Sequence, residues 1–104
     1  MLKNSVFKTF GHDCLYFDYV NDNDLSEWNT KTLRDTVNVK ILIQDNKNAS
    51  MLTIEMDENF LNGVNPSDGD IIYLNKRLYR VTNVTKVNES GYTAEIEKLE
   101  AKLK

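Results

Sequence analysis

Residue types that do chemistry are scarce in this chain of 104 residues, which holds one histidine and one cysteine. His12, Asp13 and Cys14 are adjacent, and in an extended segment His12 and Cys14 share one face, as a thiol and its base would. A catalytic thiolate also needs a group that orients the base and an oxyanion hole, and no glycine-rich turn or helix start follows Cys14. A strand thiol, wholly or half buried, is the simpler reading. Asp18, Asp22, Asp24 and Glu27 could gather a hard cation through carboxylate oxygens. Counted from Asp22, however, a calcium loop wants glycine and glutamate where Glu27 and Leu33 stand. The cluster then reads as a solvated turn that caps a following helix. Gly63, Gly69 and Gly91 are isolated turn residues, since a phosphate cradle needs clustered glycines between a strand and a helix. The Asn-x-Ser/Thr triplets at Asn48, Asn83 and Asn88 are chance products of an asparagine-rich chain, since no secretion signal is expected.

One further constellation mixes cations with aromatics. Lys76, Arg77, Arg80 and Lys86 gather around a hairpin that also holds Tyr73 and Tyr79, a combination used to bind single-stranded nucleic acid on a small barrel. The cations are few, and the chain carries a formal charge of −3 with a pI near 5.1, which disfavours phosphate neutralisation. The plainer alternative puts the tyrosines in the core or its rim and the cations in solvent. No nucleophile is paired with a base, so no enzyme, cofactor or metal site is expected.

The elements that position these residues follow from length and period. A chain of 12.0 kDa is expected to fold as one domain, 1–104, with residues 1–35 richer in aromatic and acidic residues than the rest and a flexible charged tail at 100–104. No apolar run approaches the roughly 18 to 20 residues that span a bilayer, and Met1–Phe10 alternates polar with apolar residues. A protein kept in a cytoplasm, with no membrane partner, is the expectation. Cys14–Val20 reads as a strand and Asn21–Asp24 as an acidic turn. Leu25–Arg34 reads as a short helix, with Asp24 as cap and Glu27 reaching back to it. From Thr36 the period becomes two, with Val37, Val39, Ile41 and Ile43 on one face. Asp45–Ser50 is a polar turn, and Met51–Met56 resumes with Leu52, Ile54 and Met56 inward.

Asp57–Val64 fits neither period and reads as a loop or single helical turn, with Phe60 and Leu61 inward. Asn65–Asp70 is a stop, because Pro66 fixes its own φ and Gly69 accepts a positive one. Ile71–Leu74 and Leu78–Val87 are strands joined by a tight turn at Asn75–Arg77. Tyr79 and Val81 share a face that Val84 and Val87 leave, so a bulge near Asn83 is needed. Asn88–Gly91 closes a hairpin into Tyr92–Leu99, with Tyr92, Ala94 and Ile96 inward. Five to six short strands at about 8 to 12 residue spacing, with one short helix, predict a mainly β protein: a small antiparallel barrel or sandwich.

The run Pro66-Ser-Asp-Gly69-Asp70-Ile-Ile-Tyr73, then Asn75-Lys-Arg-Leu-Tyr79-Arg-Val81-Thr-Asn-Val84, then Tyr92-Thr-Ala-Glu-Ile96, follows strands at Val37–Ile43 and Leu52–Ile54. Over Val37–Leu99 this order resembles the small head-completion proteins, or head–tail adaptors (connectors), of long-tailed bacteriophages. In that hairpin Gly69 would make the turn, Ile71 and Tyr73 would enter the barrel, and Tyr79 and Val81 would return along the paired strand.

The resemblance implies a structural virion protein of the neck, assembled in the host cytoplasm, that joins the portal or adaptor ring to tail proteins. Its subunits would be monomers before assembly and a twelve-fold ring in the virion, closing the channel around double-stranded DNA without binding it specifically. An acidic surface suits that use, since it lets the duplex slide where a basic one would hold it. The channel-facing role is expected on the Asp45–Ser50 loop, at Asp45, Asn46, Lys47 and Asn48. Contacts to neighbouring rings are expected at Asp57–Val64, through Asp57, Glu58, Asn59 and Phe60, and at the termini. A six-fold tail-terminator or tail-completion ring is the structural alternative, and a single-stranded nucleic-acid-binding barrel the alternative of another class.

Overall fold

The computed structural model of the chain describes residues 2–18, 36–48 and 50–99. Helix α1 (Leu2–Phe10) precedes strands β1 (His12–Phe17), β2 (Val37–Asn48) and β3 (Met51–Asp57). A 3-10 turn, Glu58–Phe60, leads on to β4 (Ile71–Leu74), β5 (Arg77–Lys86) and β6 (Gly91–Lys98). The strands form a closed antiparallel barrel in the order β1-β2-β3-β6-β5-β4, with β4 pairing back onto β1. Closure pairs every strand on both sides, which limits edge-to-edge association for a chain this small, although β2 runs on past its last β1 partner at Ile41.

Period two fills the interior. Cys14 and Tyr16 of β1, Val39 and Ile41 of β2, Leu52, Ile54 and Met56 of β3, Ile72 and Leu74 of β4, Tyr79 and Val81 of β5, and Ala94 and Ile96 of β6 form one buried cluster. Each fully buried aliphatic side chain contributes roughly 1.5–3 kcal/mol, so the barrel interior is the dominant source of stability. Val37, expected on the inward face, lies at the strand's start and is exposed.

Asparagines punctuate the chain as their tolerance of left-handed backbone predicts. Asn62, Asn75 and Asn83 all have positive φ, at 49°, 51° and 52°. At Asn83 this coincides with the register shift between Thr82 and Thr85, the expected bulge in β5. The bulge frees the Val84 N–H from the ladder, and the Asp68 carboxylate accepts it at 2.8 Å.

The same loop closes the barrel. Gly69, at φ 97°, turns the chain so that its N–H donates to the Val81 carbonyl at 2.8 Å, while the Val81 N–H donates to the Asp70 carbonyl at 2.7 Å. The buried Asp70 carboxylate accepts from the Tyr16 hydroxyl of β1 at 2.6 Å and from the Ser67 N–H at 3.0 Å. Arg80 donates to the Gly69 carbonyl at 2.9 Å. Residues 67–70 therefore tie β1 to β5 across the closing seam, with every buried polar side-chain atom of the described residues satisfied.

Four expectations need correction or adjustment. Asp45–Ser50 is not a turn throughout: β2 continues to Asn48, with Asp45 opposite Thr53 and Asn48 opposite Met51. The ladder is made of backbone groups, so polar side chains do not stop it, and two register irregularities absorb the misfit. Ile71 and Tyr73 do not enter the barrel, because Ile72 and Leu74 occupy the inward positions. Ile71 instead joins Phe17 and Leu78 in a second cluster on the outer face, with Leu15, Tyr73 and Leu99 against it. Residues 2–10 form a helix, with the buried Phe7 as its anchor. β1 begins at His12, two residues before the expected Cys14, and its pairing with β4 ends at Phe17. The expected helix at Leu25–Arg34, the carboxylates Asp22, Asp24 and Glu27, and the tail at 100–104 lie outside the described residues.

Candidate functional site

The surface with the most organised polar chemistry lies where α1, β1, β2 and the 3-10 turn meet. Helix α1 ends at Gly11, whose N–H donates to the Phe7 carbonyl at 2.9 Å. A Cβ at Gly11 would sit 2.3 Å from that carbonyl and 2.5 Å from Lys40 Cγ, so only glycine lets the helix lie this close to β2. The approach seats Phe7 against Phe60, with ring centroids 5.2 Å apart and planes within 9° of parallel. Stacking of this kind adds about 0.5–1.5 kcal/mol beyond the area buried.

Asp57 positions the segment that follows. It is buried at the end of β3, and its side chain accepts the Asn59 N–H at 2.9 Å, capping the 3-10 turn. Glu58 N–H donates to the Ser90 carbonyl at 2.7 Å, which anchors the turn to the β5–β6 connection. Asn62-Gly63 then reverses the chain with φ of 49° and 86°, the pairing Asn-Gly is suited to, and Val64 N–H donates to the Leu61 carbonyl at 2.9 Å. The Asn62 side-chain amide donates to the Asn38 carbonyl of β2. Between these elements lies an open cleft of about 160 Å³, lined by Asp13, Asn38, Val39, Lys40, Asn59, Phe60 and Asn62.

Of the residues expected to make contacts, Glu58 and Asn59 are exposed, Phe60 is half-buried under Phe7, and Asp57 is buried as the cap of the turn. Asp45, Asn46, Lys47 and Asn48 lie on the last part of β2, in the ribbon it forms with β3. The fold thus separates the two groups, one on the β2–β3 ribbon and one at the end of β3. Asn62, within the expected Asp57–Val64 segment, joins the second group, together with Phe7 and Asn38, which were not singled out. The Asn62-Gly63 pair was the available signal for that turn, while nothing local marks Phe7 as its partner.

The catalytic and nucleic-acid arrangements do not assemble. His12 and Asp13 are exposed at the start of β1, Asp13 makes a surface ion pair with Lys40 at 3.5 Å, and Cys14 is buried in the barrel. Burial, reinforced by the Asp13 charge, pushes the Cys14 thiol up to about 12, the reverse of what a nucleophile requires. Tyr16 is also raised, first by burial and then by its hydrogen bond to Asp70. Tyr79 is a core residue, Tyr73 packs on the outer-face cluster, and Lys86 lies over the Tyr92 ring at 5.7 Å. These tyrosines therefore form no shared stacking platform with the cations. Among the described residues no group of three or more His, Cys, Asp or Glu side chains could hold a metal ion, and no helix is long and apolar enough to cross a membrane. What the surface offers a partner is exposed amide and carboxylate groups on a backbone fixed from three sides.

No family model, curated protein or solved structure matches this chain.

Proposed function

We propose that the chain is a structural ring subunit of a long-tailed bacteriophage neck, a head-completion or head–tail adaptor protein that joins the portal to the tail. The observation that supports this most is the use made of the pattern on which the resemblance rests. Pro66–Asp70, the short β4, and Tyr79-x-Val81 make the closing seam of the barrel, tied to β1 through Tyr16 and Asp70. That seam makes a closed block, and a closed, stiff block is what a ring under the pressure of packaged DNA requires. In this reading the β2–β3 ribbon, with Asp45–Asn48 near its tip, faces the channel, and Asn59 and Phe60 meet the neighbouring ring. The acidic balance keeps the duplex from adhering as it passes.

The test is co-expression with the portal protein encoded in the same genome, followed by purification through a tag on the portal. Retention of this chain as a multi-copy ring supports the proposal. Failure to co-purify, together with retention of the chain on single-stranded DNA at about 0.15 M salt, overturns it in favour of the nucleic-acid-binding alternative. A genome with no portal gene also overturns it.

A further inference from the structure

The barrel carries opposite charges at its two ends, and we propose that neighbouring copies of this chain dock end to end, the basic end of one on the acidic end of the next. The basic end is built from the β4–β5 turn and the last residues of β6. Leu74 pairs with Arg77 across the two-residue turn Asn75-Lys76, and Lys98 lies opposite Tyr79, so Lys76, Arg77 and Lys98 share one rim and are all exposed. Among the described residues Asp13 and Glu97 lie nearby, Asp13 paired with Lys40 and Glu97 opposite Arg80 in the sheet.

The other rim is acidic. Glu58 donates its N–H to Ser90, which sets it beside Glu89 in the β5–β6 connection, and Asp68 is held at the β5 bulge by the Val84 N–H. Of the cations on this side, Lys86 lies over the Tyr92 ring and Arg80 donates to the Gly69 carbonyl beside Asp68. The side chains of Lys76, Arg77, Glu58 and Glu89 make no ion pair among the described residues. The ends lie a full strand apart. With barrel strands tilted by about 35–45°, the ten residues of β5, at about 3.3 Å each, separate them along the barrel by roughly 20–25 Å, two to three times the Debye length of about 8 Å at physiological salt. One end therefore cannot neutralise the other within a molecule, whereas a second copy can bring them together.

Lys76 strengthens the case. It has φ 65° at the second position of the turn, where glycine is the unstrained choice, so backbone geometry does not explain the residue, whereas a charge at the tip does. A polyanion is the weaker candidate for this end, because the molecule as a whole is acidic and carries its own complement on the opposite rim. An end-to-end contact of unlike surfaces is heterologous, and such contacts close into rings when the rotation between copies allows it. The inference rests on the ring reading above and assigns Glu58 to the joint within a ring. Each surface ion pair is weak, so dilute subunits stay apart and association depends on concentration and salt.

The test uses the purified full chain and two double variants, Lys76→Glu with Arg77→Glu, and Glu58→Lys with Glu89→Lys, each checked for native circular dichroism. In sedimentation velocity at high protein concentration, the unmodified chain should self-associate at about 0.05 M salt and weaken about tenfold or more by 0.5 M. Neither variant should associate alone, since its two ends then carry like charge, and mixing them should restore association. Self-association that survives both reversals, or mixed variants that stay monomeric, overturns the inference. A chain that joins the portal normally in either reversed form also overturns it while leaving the neck role standing. Restored pairing without portal binding supports the inference and removes the neck role.

Discussion

Replacing Asp70 with alanine tests the closing seam directly. Asp70 is 4% exposed and Tyr16 2% exposed, and the carboxylate accepts from the Tyr16 hydroxyl at 2.6 Å and the Ser67 N–H at 3.0 Å. A hydrogen bond to a charged group contributes about 1.5–3 kcal/mol, and each donor left buried without a partner costs a comparable amount. Removing a desolvated carboxylate recovers part of this, so Asp70→Ala should lose about 3–4 kcal/mol. That is a large share of the roughly 5–15 kcal/mol typical of a domain. Tyr16→Phe removes the hydroxyl's bond to the carboxylate and should lose about 1–2 kcal/mol, and the double variant should show a coupling of about 1–2 kcal/mol. Urea unfolding followed by far-ultraviolet circular dichroism measures all three. Loss of less than about 1 kcal/mol for Asp70→Ala, or additivity of the two substitutions, would refute the idea that this pair holds β1 to the seam.

Three more outcomes follow from other parts of the barrel. Cys14 is raised in the fold from 9.0 to about 12, so the folded state keeps a proton that the unfolded chain releases. Its contribution is complete below pH 9 and is lost as pH rises, at up to about 1.4 kcal/mol per pH unit, with Tyr16 adding to the loss above pH 10. The urea midpoint should fall from pH 9 upward and Cys14 should resist thiol reagents until the protein unfolds; a flat profile or rapid native labelling contradicts this. Lys76→Gly relieves a left-handed lysine and should raise stability by about 1 kcal/mol in thermal unfolding, with no change or a loss counting against the strain. Gly11→Ala drives a methyl into the Phe7 carbonyl and the Lys40 stem and should cost about 1–3 kcal/mol in urea unfolding. An alanine variant as stable as the parent would show that α1 does not lie where described.

The parts of this fold that could be read in advance are those where one face of a strand is apolar and the other polar. Ala94 and Ile96 alternate with Thr93, Glu95 and Glu97, so β6 and its inward face were legible, and the change of phase between Val81 and Val84 located the bulge. β4 was not legible in this respect, because Ile71, Ile72, Tyr73 and Leu74 are apolar on both faces, and both faces are covered in the fold. Period two can assign no inward side to such a strand. The extension of β2 through Asp45–Asn48 depends on pairing with β3, a tertiary effect that outweighs the local polarity of those residues. The Tyr16–Asp70 bond joins residues 54 apart, and the Phe7–Phe60 stack joins a helix to a turn far along the chain. Neither contact leaves a local signature. The segment Glu58–Phe60 could be singled out in advance because it fits no regular period, whereas the role of Asp57 as a buried cap required the geometry of the turn.

Native mass spectrometry of the portal ring mixed with this chain tests the neck role most directly. The account predicts one dominant added mass equal to a whole ring of 12.0 kDa subunits, with intermediate stoichiometries sparse at saturation. A portal ring whose mass is unchanged at saturating chain concentration would contradict it.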